Sequence, residues 1–303
     1  MTTARLYSKK QVALFIAAAL LLVFSARRAW NYLTSPTGEQ KVEFIAANAK
    51  HYTSGKLDYT VYQARSGVTD EVIYHLHGRK LDGTIWNDDT YYTSQVQAFW
   101  QQHGVKPPTV VVVSYGPEWL LTPKNSHASS GLMDDFISHL PEIESRIGKP
   151  SRRILLGESM GGLNVLILGL SHPELFSKIA SLCPGVYLGS PFYGFSTLRT
   201  GMKRTGADPK VIYGIKRLAK RYASNKEEWD RIDPIRLIER ADRTYPELYL
   251  SCGLYDKYGN FEGTEALANR ARAKGVVTQW HPLYGGHCAI DVASLADFLT
   301  ARS

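Results

Sequence analysis

The chain has 303 residues, which is enough for one large α/β domain or two small ones. Its 44% hydrophobic and 21% charged residues describe an ordinary globular protein that can bury a full core. The net charge of +8 does not indicate nucleic acid, because residues 1–28 hold five basic residues and no acid and so leave +3 for the rest. No RNA- or DNA-binding module is visible, and we expect no nucleic-acid partner.

The N-terminal segment, residues 1–28, has the pattern of a signal peptide or a membrane anchor. An uninterrupted apolar run covers residues 12–24 and follows Arg5, Lys9 and Lys10. Thirteen to fifteen helical residues reach only about 20 Å, which is short of the ~30 Å hydrocarbon core and favours a cleaved signal.

Other features of this segment favour an anchor at residues 12–26. No Ala-x-Ala cleavage site is present, Arg27-Arg28 follows the apolar run at once, and Trp30 and Tyr32 suit a membrane interface. Both interpretations predict an extracytoplasmic domain, either periplasmic or secreted, with anchoring in the inner membrane as one option. The alternative is a buried N-terminal helix of a cytosolic protein.

Residues 29–55 are expected to connect this segment to a domain at 56–303, in which strands and helices alternate. Such alternation predicts βαβ units, a mostly parallel central sheet and helices on both faces. The predicted strands are 57–64, 72–76, 109–114, 153–156, 178–182, 247–251 and 276–280. The predicted helices are 94–103, 131–147, 162–170, 262–274 and 291–301.

The loop at residues 75–83, after the second predicted strand, contains features of a site. Gly78 lets the backbone turn, so that the amide of Arg79 can face a reacting group. His75 and His77 share a strand face like a metal pair, but no third or fourth ligand is evident. We therefore do not interpret the pair as a metal site, and expect His77 to orient the loop.

The strand-serine-helix junction at residues 153–170 carries most of the functional information. Gly157, Ser159 and Gly161 form Gly-x-Ser-x-Gly between a strand and an apolar helix, the setting of a nucleophile elbow. The residues two positions to either side must be small, because strand and helix pass close to them. The backbone N–H groups of Met160 and Arg79 are then the expected oxyanion hole.

An insertion of about residues 186–246 interrupts the alternation and contains no convincing strand. We expect it to form a helical cap over the site. Its basic residues are either a positive rim for an anionic substrate or membrane surface, or a solvated helical face. They are Arg199, Lys203, Arg204, Lys210, Lys216, Arg217, Lys220 and Arg221.

A serine nucleophile needs a base and an acid, and both are expected behind later strands. Asp256 is the first acid after the predicted strand 247–251, and His287 follows the last strand and the pair Gly285-Gly286. The two glycines would allow the tight loop that brings the imidazole to Ser159. His281 and Asp291 are the weaker competitors, and Asp291 is expected to begin the last helix.

Three cysteines do not form a disulfide framework or a zinc pattern. Cys252 and Cys288 lie near the two loops that carry the predicted acid and base. A disulfide between them is one possibility outside the cytoplasm, and three buried thiols, Cys183 included, are the other.

Residues 55–302 resemble a branch of esterases within the α/β-hydrolase superfamily. The branch includes esterase D-type, feruloyl, acetylxylan and enterochelin esterases and the antigen 85 mycolyltransferases. The resemblance is carried by the acidic-apolar helix at 134–143, the elbow at Ser159, the segment 170–176, Pro184-Gly185, Cys252 to Asp256 and Gly285 to His287. It implies an α/β-hydrolase fold and a carboxylic ester hydrolase or acyltransferase that needs no metal or cofactor.

The function predicted from these residues is ester hydrolysis through an acyl-enzyme, with Ser159 as nucleophile, His287 as base and Asp256 as its partner. The substrate is a small-molecule, glycan or lipid ester, and candidate pocket walls are Trp86, Tyr187, Phe192 and Tyr193. The alternatives are an acyltransferase acting on an envelope lipid or sugar, a catalytically inactive binding module, and a peptidase of the same fold. The oligomeric state cannot be inferred from these patterns.

Overall fold

The computed structural model describes residues 8–34, 41–116, 118, 131–240 and 244–301. The chain divides into two compact units, Met1–Lys41 and Val42–Ser303. The first unit contains the helix α1 (Lys9–Thr34), and the large apolar side chains described between Val12 and Trp30 are exposed.

The apolar part of α1 is longer than the sequence pattern indicated. Its stretch Lys10–Trp30 has 21 residues and a mean hydropathy of 1.9, and it is long and apolar enough to cross a membrane. At about 1.5 Å per residue it reaches about 32 Å, close to the ~30 Å hydrocarbon core. The helix continues past Arg27 and Arg28, so that length does not separate a membrane anchor from a signal sequence, which passes the same test.

The second unit is built on one eight-stranded sheet with the order β1-β2-β4-β3-β5-β6-β7-β8. Strand β2 runs antiparallel to both of its neighbours, and all other neighbours are parallel. The strands are β1 (Asn48–Ser54), β2 (Leu57–Gln63), β3 (Val72–Leu76), β4 (Thr109–Ser114), β5 (Arg153–Glu158), β6 (Lys178–Leu182), β7 (Glu247–Gly253) and β8 (Thr278–Leu283).

Helices connect these strands and cover the sheet. They are α2 (Tyr92–Gln102), α3 (Leu132–Ile147), α4 (Met160–Ser171), α5 (Phe195–Thr205), α6 (Pro209–Ala219), α7 (Lys226–Asp230), α8 (Pro234–Leu237), α9 (Phe261–Ala273) and α10 (Val292–Thr300). Short 3-10 helices cover Ile85–Asn87 and Pro173–Leu175.

Strand β4 shows why the sheet is covered on both faces. Its sequence, Thr-Val-Val-Val-Val-Ser, is buried at every position. Val111 and Val113 belong to a cluster that includes residues of α3 and α4, whereas Val110 and Val112 belong to a second cluster with residues of α2 and α10. Because successive strand side chains point to opposite faces, a strand that is buried at every position needs a helical layer on each side.

The expected α/β-hydrolase architecture is confirmed. The described part of the insertion at 186–246 contains the helices α5 to α8 and no strand, as expected for a helical cap. The start of the domain differs from the expectation, because residues 48–54 of the predicted connector form β1, which pairs along its whole length with β2.

Candidate active site

Ser159 occupies the turn between β5 and α4 with a strained backbone, φ 55° and ψ −111°. A non-glycine residue rarely has a positive φ, and such strain is found at functional sites. A Cβ on Gly157 would lie 2.5 Å from the Gly161 carbonyl oxygen, and one on Gly161 would lie 1.7 Å from the Leu76 carbonyl oxygen. The two small residues are therefore required by close approach of the backbone, as the motif predicts.

The structure brings the serine together with the predicted histidine and aspartate. The Nε2 atom of His287 lies 2.9 Å from Oγ of Ser159, and its Nδ1 atom lies 2.9 Å from Oδ2 of Asp256. Asp256 is buried, and its other oxygen accepts a 2.7 Å hydrogen bond from the Tyr258 N–H. The three side chains are 97 and 31 residues apart along the chain (256 − 159 and 287 − 256) and share one continuous hydrogen-bonded path.

The loops that carry Asp256 and His287 are fastened to each other. The N–H groups of Leu254 and Tyr255 donate to the carbonyl oxygens of Leu283 and Gly285 at 2.9 and 3.0 Å. A Cβ on Gly253 would lie 2.0 Å from the carbonyl oxygen of Gly286. This close contact fixes the acid relative to the histidine.

The histidine loop turns for a reason that the sequence did not reveal. Gly285 and Gly286 are not among the described residues with a positive φ, so their conformational freedom is not what turns it. The positive φ of 58° belongs to Cys288, directly after His287. Cys288 forms a disulfide with Cys183 at the end of β6, where φ is 43°.

The disulfide corrects both alternatives for the cysteines, a pairing of Cys252 with Cys288 and three buried free thiols. Cys252 is a buried free thiol on β7, and its Sγ lies 3.5 Å from Oδ2 of Asp256. Burial next to this carboxylate raises the pKa of the Cys252 thiol. The Cys252 thiol is therefore a neutral neighbour of the Asp256 carboxylate. Cys183, and not Cys252, is the partner of Cys288.

Cys183, His287 and Cys288 are close enough together to be considered as a metal site among the described residues. The two sulfurs are joined to each other, however, and both ring nitrogens of His287 are engaged by Ser159 and Asp256. These donors therefore do not fit a metal ion in this state.

A buried carboxylate directly before Ser159 was missed by the sequence analysis. Glu158, 1% exposed, accepts hydrogen bonds from the Gly78 N–H at 2.6 Å and from the Tyr92 hydroxyl at 2.9 Å. Its Oε2 also lies 2.7 Å from Nε2 of His75. Glu158 thus joins the elbow to the 75–83 loop and to α2.

The charge of Glu158 is retained despite its burial. Burial by itself raises the pKa of this carboxyl, but His75 and the hydrogen bonds from His75, Gly78 and Tyr92 together hold it below its usual value. His77, the residue expected to orient the loop, lies with its Nδ1 2.8 Å from the carbonyl oxygen of Gly78. Burial lowers the pKa of His77, which favours the neutral imidazole.

This network bears on the expected oxyanion donors. The Gly78 N–H donates to Glu158, so Gly78 itself is not the oxyanion donor of this loop, and the Arg79 amide remains the predicted one. Arg79, Met160 and Ser159 line the same small cavity of about 70 Å³. Asn260 also lines it, and its Oδ1 has no hydrogen-bond partner among the described residues.

The four predicted pocket residues divide into two pairs. Tyr187 lines the cavity at Ser159, and Tyr187 and Tyr193 line a larger cavity of about 600 Å³ under the cap. The prediction of Trp86 as a pocket wall is corrected. Its side chain is 1% exposed and packs against His75 and Trp100, with ring centres 5.8 Å and 6.2 Å apart. Phe192 is also corrected, because it packs against the core cluster and lines neither of these two cavities.

The two competitors for the site lie elsewhere. His281 stacks on Tyr249 at 4.3 Å within the fold. Asp291 caps α10, where it accepts a 3.1 Å hydrogen bond from the Ser294 N–H. Neither residue lies in hydrogen-bond contact with Ser159 among the described contacts.

Solved structures of esterases and lipases share this fold. A ferulic acid esterase has a TM-score of 0.59 and 16% identity, covering 88% of this chain and 99% of its own. A brefeldin A esterase, described as a bacterial homologue of human hormone-sensitive lipase, has a TM-score of 0.60 and 15% identity, covering 94% and 85%. A hormone-sensitive lipase from a metagenome library has a TM-score of 0.61 and 16% identity, covering 88% and 89%. These likenesses show the fold of the chain, which is that of the α/β-hydrolases.

The family assignment rests on the sequence itself. The model of the family described as "Putative esterase" matches residues 53–289, which is most of the chain. The chain belongs to this family, and its class is that of the carboxylic ester hydrolases.

Proposed function

We propose that the protein is an extracytoplasmic serine esterase that acts through an acyl-enzyme on Ser159. The proposal rests on one observation above all, the 2.9 Å contacts that place His287 between Ser159 and Asp256. A serine hydroxyl is a poor nucleophile at neutral pH, and a base at hydrogen-bond distance is what activates it.

In the first half of the reaction, Oγ of Ser159 attacks the ester carbonyl carbon while Nε2 of His287 takes the hydroxyl proton. Asp256 holds the imidazole tautomer and stabilises the imidazolium. The N–H groups of Met160 and Arg79 receive the negative charge on the carbonyl oxygen; one such donor is worth about 3 kcal/mol. The C–O bond then breaks, and the alcohol leaves with the proton from His287.

In the second half, water attacks the acyl carbon of the Ser159 ester while His287 takes a proton from the water. Collapse of the tetrahedral intermediate breaks the bond to Oγ, returns the proton to Ser159 and releases the carboxylic acid. An alcohol in place of water would give acyl transfer by the same steps. Analysis of the products with and without an alcohol acceptor separates the two outcomes.

Two observations support a location outside the cytoplasm. The apolar stretch Lys10–Trp30 is long enough to span a membrane, although a signal sequence passes the same test. The disulfide between Cys183 and Cys288 suits an oxidising compartment. We infer that α1 anchors the chain and that the catalytic unit works on the outer side.

The test of the chemistry is hydrolysis of p-nitrophenyl butyrate by the full chain and its Ser159→Ala variant. We expect wild-type turnover and a loss of at least about 10³-fold in the variant. Ser177→Ala is the control, because the Ser177 hydroxyl donates to the carbonyl oxygen of Arg153, at the opposite end of β5 from Ser159. Turnover by Ser159→Ala near the wild-type rate would disprove the mechanism.

A further inference from the structure

A cavity of about 600 Å³ lies between the cap and the body of the catalytic unit. Its walls come from α5, α6, the segment 187–193 and the start of α9. Sites for small organic ligands typically measure about 300–1,000 Å³. The cavity is therefore large enough for a ligand of that size.

The walls of this cavity suit an uncharged, apolar group. The charged side chains that reach it are engaged: Arg204 pairs with Glu262 at 2.8 Å, and Nζ of Lys216 donates to the Tyr193 carbonyl oxygen at 2.7 Å. Burying a charge or an unpaired polar group here would be unfavourable. The apolar side chains on the walls include Leu188, Leu198, Met202, Ile212 and Ile215.

The cavity meets the serine site at two shared side chains. Tyr187 and Ile215 line both the 600 Å³ cavity and the small cavity that contains Ser159. A group bound to Ser159 would therefore have the large cavity directly beyond this pair.

The position of the histidine indicates which half of the ester faces the cap. The leaving alcohol must receive a proton from His287. His287 lines neither of the two cavities. This leaves the cap cavity for the acyl group, and we assign it to that half of the ester.

We propose that the cap cavity binds the acyl chain and that the enzyme is specific for esters of linear, medium-length fatty acids such as octanoate. The inference rests on the proposed function of Ser159 and adds the substrate class. Its tests use ratios between substrates, so that it can fail while ester hydrolysis by Ser159 stands.

The first test is a series of p-nitrophenyl esters from acetyl to decanoyl with the full chain in detergent. We expect kcat/KM to rise by up to about fourfold for each added methylene until the cavity is filled. A series that is flat or falls from acetyl onward would overturn the proposal. A parallel series of acetate esters with lengthening alcohols should show no such rise, and a preference confined to the alcohol side would also overturn it.

The second test fills the cavity from α5. Thr197, Leu198, Gly201 and Thr205 share one helix face and line the cavity, and a Cβ on Gly201 would meet no atom within 4 Å. Gly201→Phe should lower the octanoyl-to-acetyl ratio of kcat/KM by at least tenfold. An unchanged ratio in the folded variant would contradict the proposal.

The chain provides a matched control on the neighbouring cap helix. Gly214 on α6 is exposed, has equally open space around its Cβ and does not line the cavity. Gly214→Phe should leave the octanoyl-to-acetyl ratio unchanged. Both substitutions replace a helical glycine and so favour helix formation, and thermal unfolding checks that each variant folds. The two proposals can fail separately. If Ser159→Ala is inactive but the wild type shows no dependence on acyl length, the proposed function stands and the acyl site is rejected.

Discussion

Glu158 holds the 75–83 loop, which carries the proposed oxyanion donor Arg79, from the position directly before the proposed nucleophile Ser159. Its carboxylate accepts from Gly78, two residues after the end of β3, and from Tyr92 at the start of α2, and it also contacts His75. Because these contacts fix the backbone just before the Arg79 amide, we interpret Glu158 as a positioning residue. It acts on the place where negative charge develops and does not touch the substrate.

The substitution Glu158→Gln should lower kcat by about tenfold or more with little change in KM. The NH2 group of glutamine is a donor and would face one of the groups that now donate to the carboxylate. That group would lose its acceptor, and a buried donor without an acceptor costs about 1–3 kcal/mol. Affinity for a boronate transition-state analogue should fall in parallel with kcat. The measurement is steady-state kinetics together with boronate inhibition.

Glu144 provides the control for this variant. It is also buried, but it pairs with Arg153 and accepts a 3.1 Å hydrogen bond from Tyr74 on the α3 side of the sheet. Glu144→Gln should lower the melting temperature and leave kcat of the folded enzyme unchanged. Equal kinetic effects of both substitutions would mean that Glu158 serves stability alone.

At the scale of elements, the disulfide ties the end of β6 to the loop that carries the histidine. The bond joins residues 105 positions apart, and Cys288 follows His287 directly. A cross-link over about 100 residues can stabilise the fold by up to about 4–5 kcal/mol in the chain-entropy model.

The double variant Cys183→Ser/Cys288→Ser should melt at a lower temperature and have a lower kcat, because the imidazole loses its tether. A reductant should have the same two effects on the wild type. It should have no effect on the double variant, which is the control. Full activity of the reduced wild type would show that the disulfide does not position His287.

Asp233 begins α8 and gives this part of the cap a pH dependence. Its Oδ1 accepts a 3.0 Å hydrogen bond from the Ile235 N–H, and burial raises the pKa of its carboxyl to about 6. The folded-state pKa lies above the unfolded value of 3.8. The protonated carboxyl therefore stabilises the fold, and its contribution is complete below pH 3.8. Its contribution to the free energy of unfolding is lost as the pH rises through about 6.

At pH 7.5, Asp233→Asn should therefore raise the free energy of unfolding above that of the wild type by about 1–2 kcal/mol more than it does at pH 4. This range is reduced for the partial solvent exposure of the side chain. Asparagine keeps the capping oxygen and removes the charge. Urea unfolding at the two pH values is the measurement. Asp208→Asn is the control, because Asp208 caps α6 through the same kind of hydrogen bond but is exposed, and this substitution should not reproduce the gain in stability at pH 7.5.

At the scale of the whole molecule, we expect the first unit to bind the membrane and the second unit to carry the enzymatic activity. We expect the full chain to stay with membranes after alkaline carbonate extraction, because α1 presents a 21-residue apolar stretch. A chain that begins at Lys41 should be soluble and keep the kcat of the full chain, since Val42–Ser303 is a compact unit by itself. Release of the full-length chain by carbonate would contradict the anchor.

Much of the sheet could be predicted because its strands are short and apolar on both faces. Strands β3, β4 and β6 begin and end at the predicted residues. Strand β1 was missed because it is an edge strand, Asn-Ala-Lys-His-Tyr-Thr-Ser, with mostly exposed side chains and no hydrophobic pattern. The elbow and the two loops behind β7 and β8 could be found because each needs particular residue types at a strand end.

Features that depend on contacts between distant parts of the chain could not be predicted. The acceptor role of Glu158 depends on partners 66 to 83 residues away. The choice of Cys183 over Cys252 depends on which loop end reaches Cys288, which cysteine spacing does not reveal. Trp86 lies close to the oxyanion loop in sequence, but its 3-10 helix directs it into the core with Trp100.

The most direct test of the central claim is the site of covalent labelling by a fluorophosphonate, located by peptide mass spectrometry on the full chain. The account predicts one adduct, on Ser159, with labelling slowed by at least about 10²-fold in His287→Ala because the hydroxyl then lacks its base. An adduct on a different serine, or equally fast labelling of Ser159 without the imidazole, would contradict it.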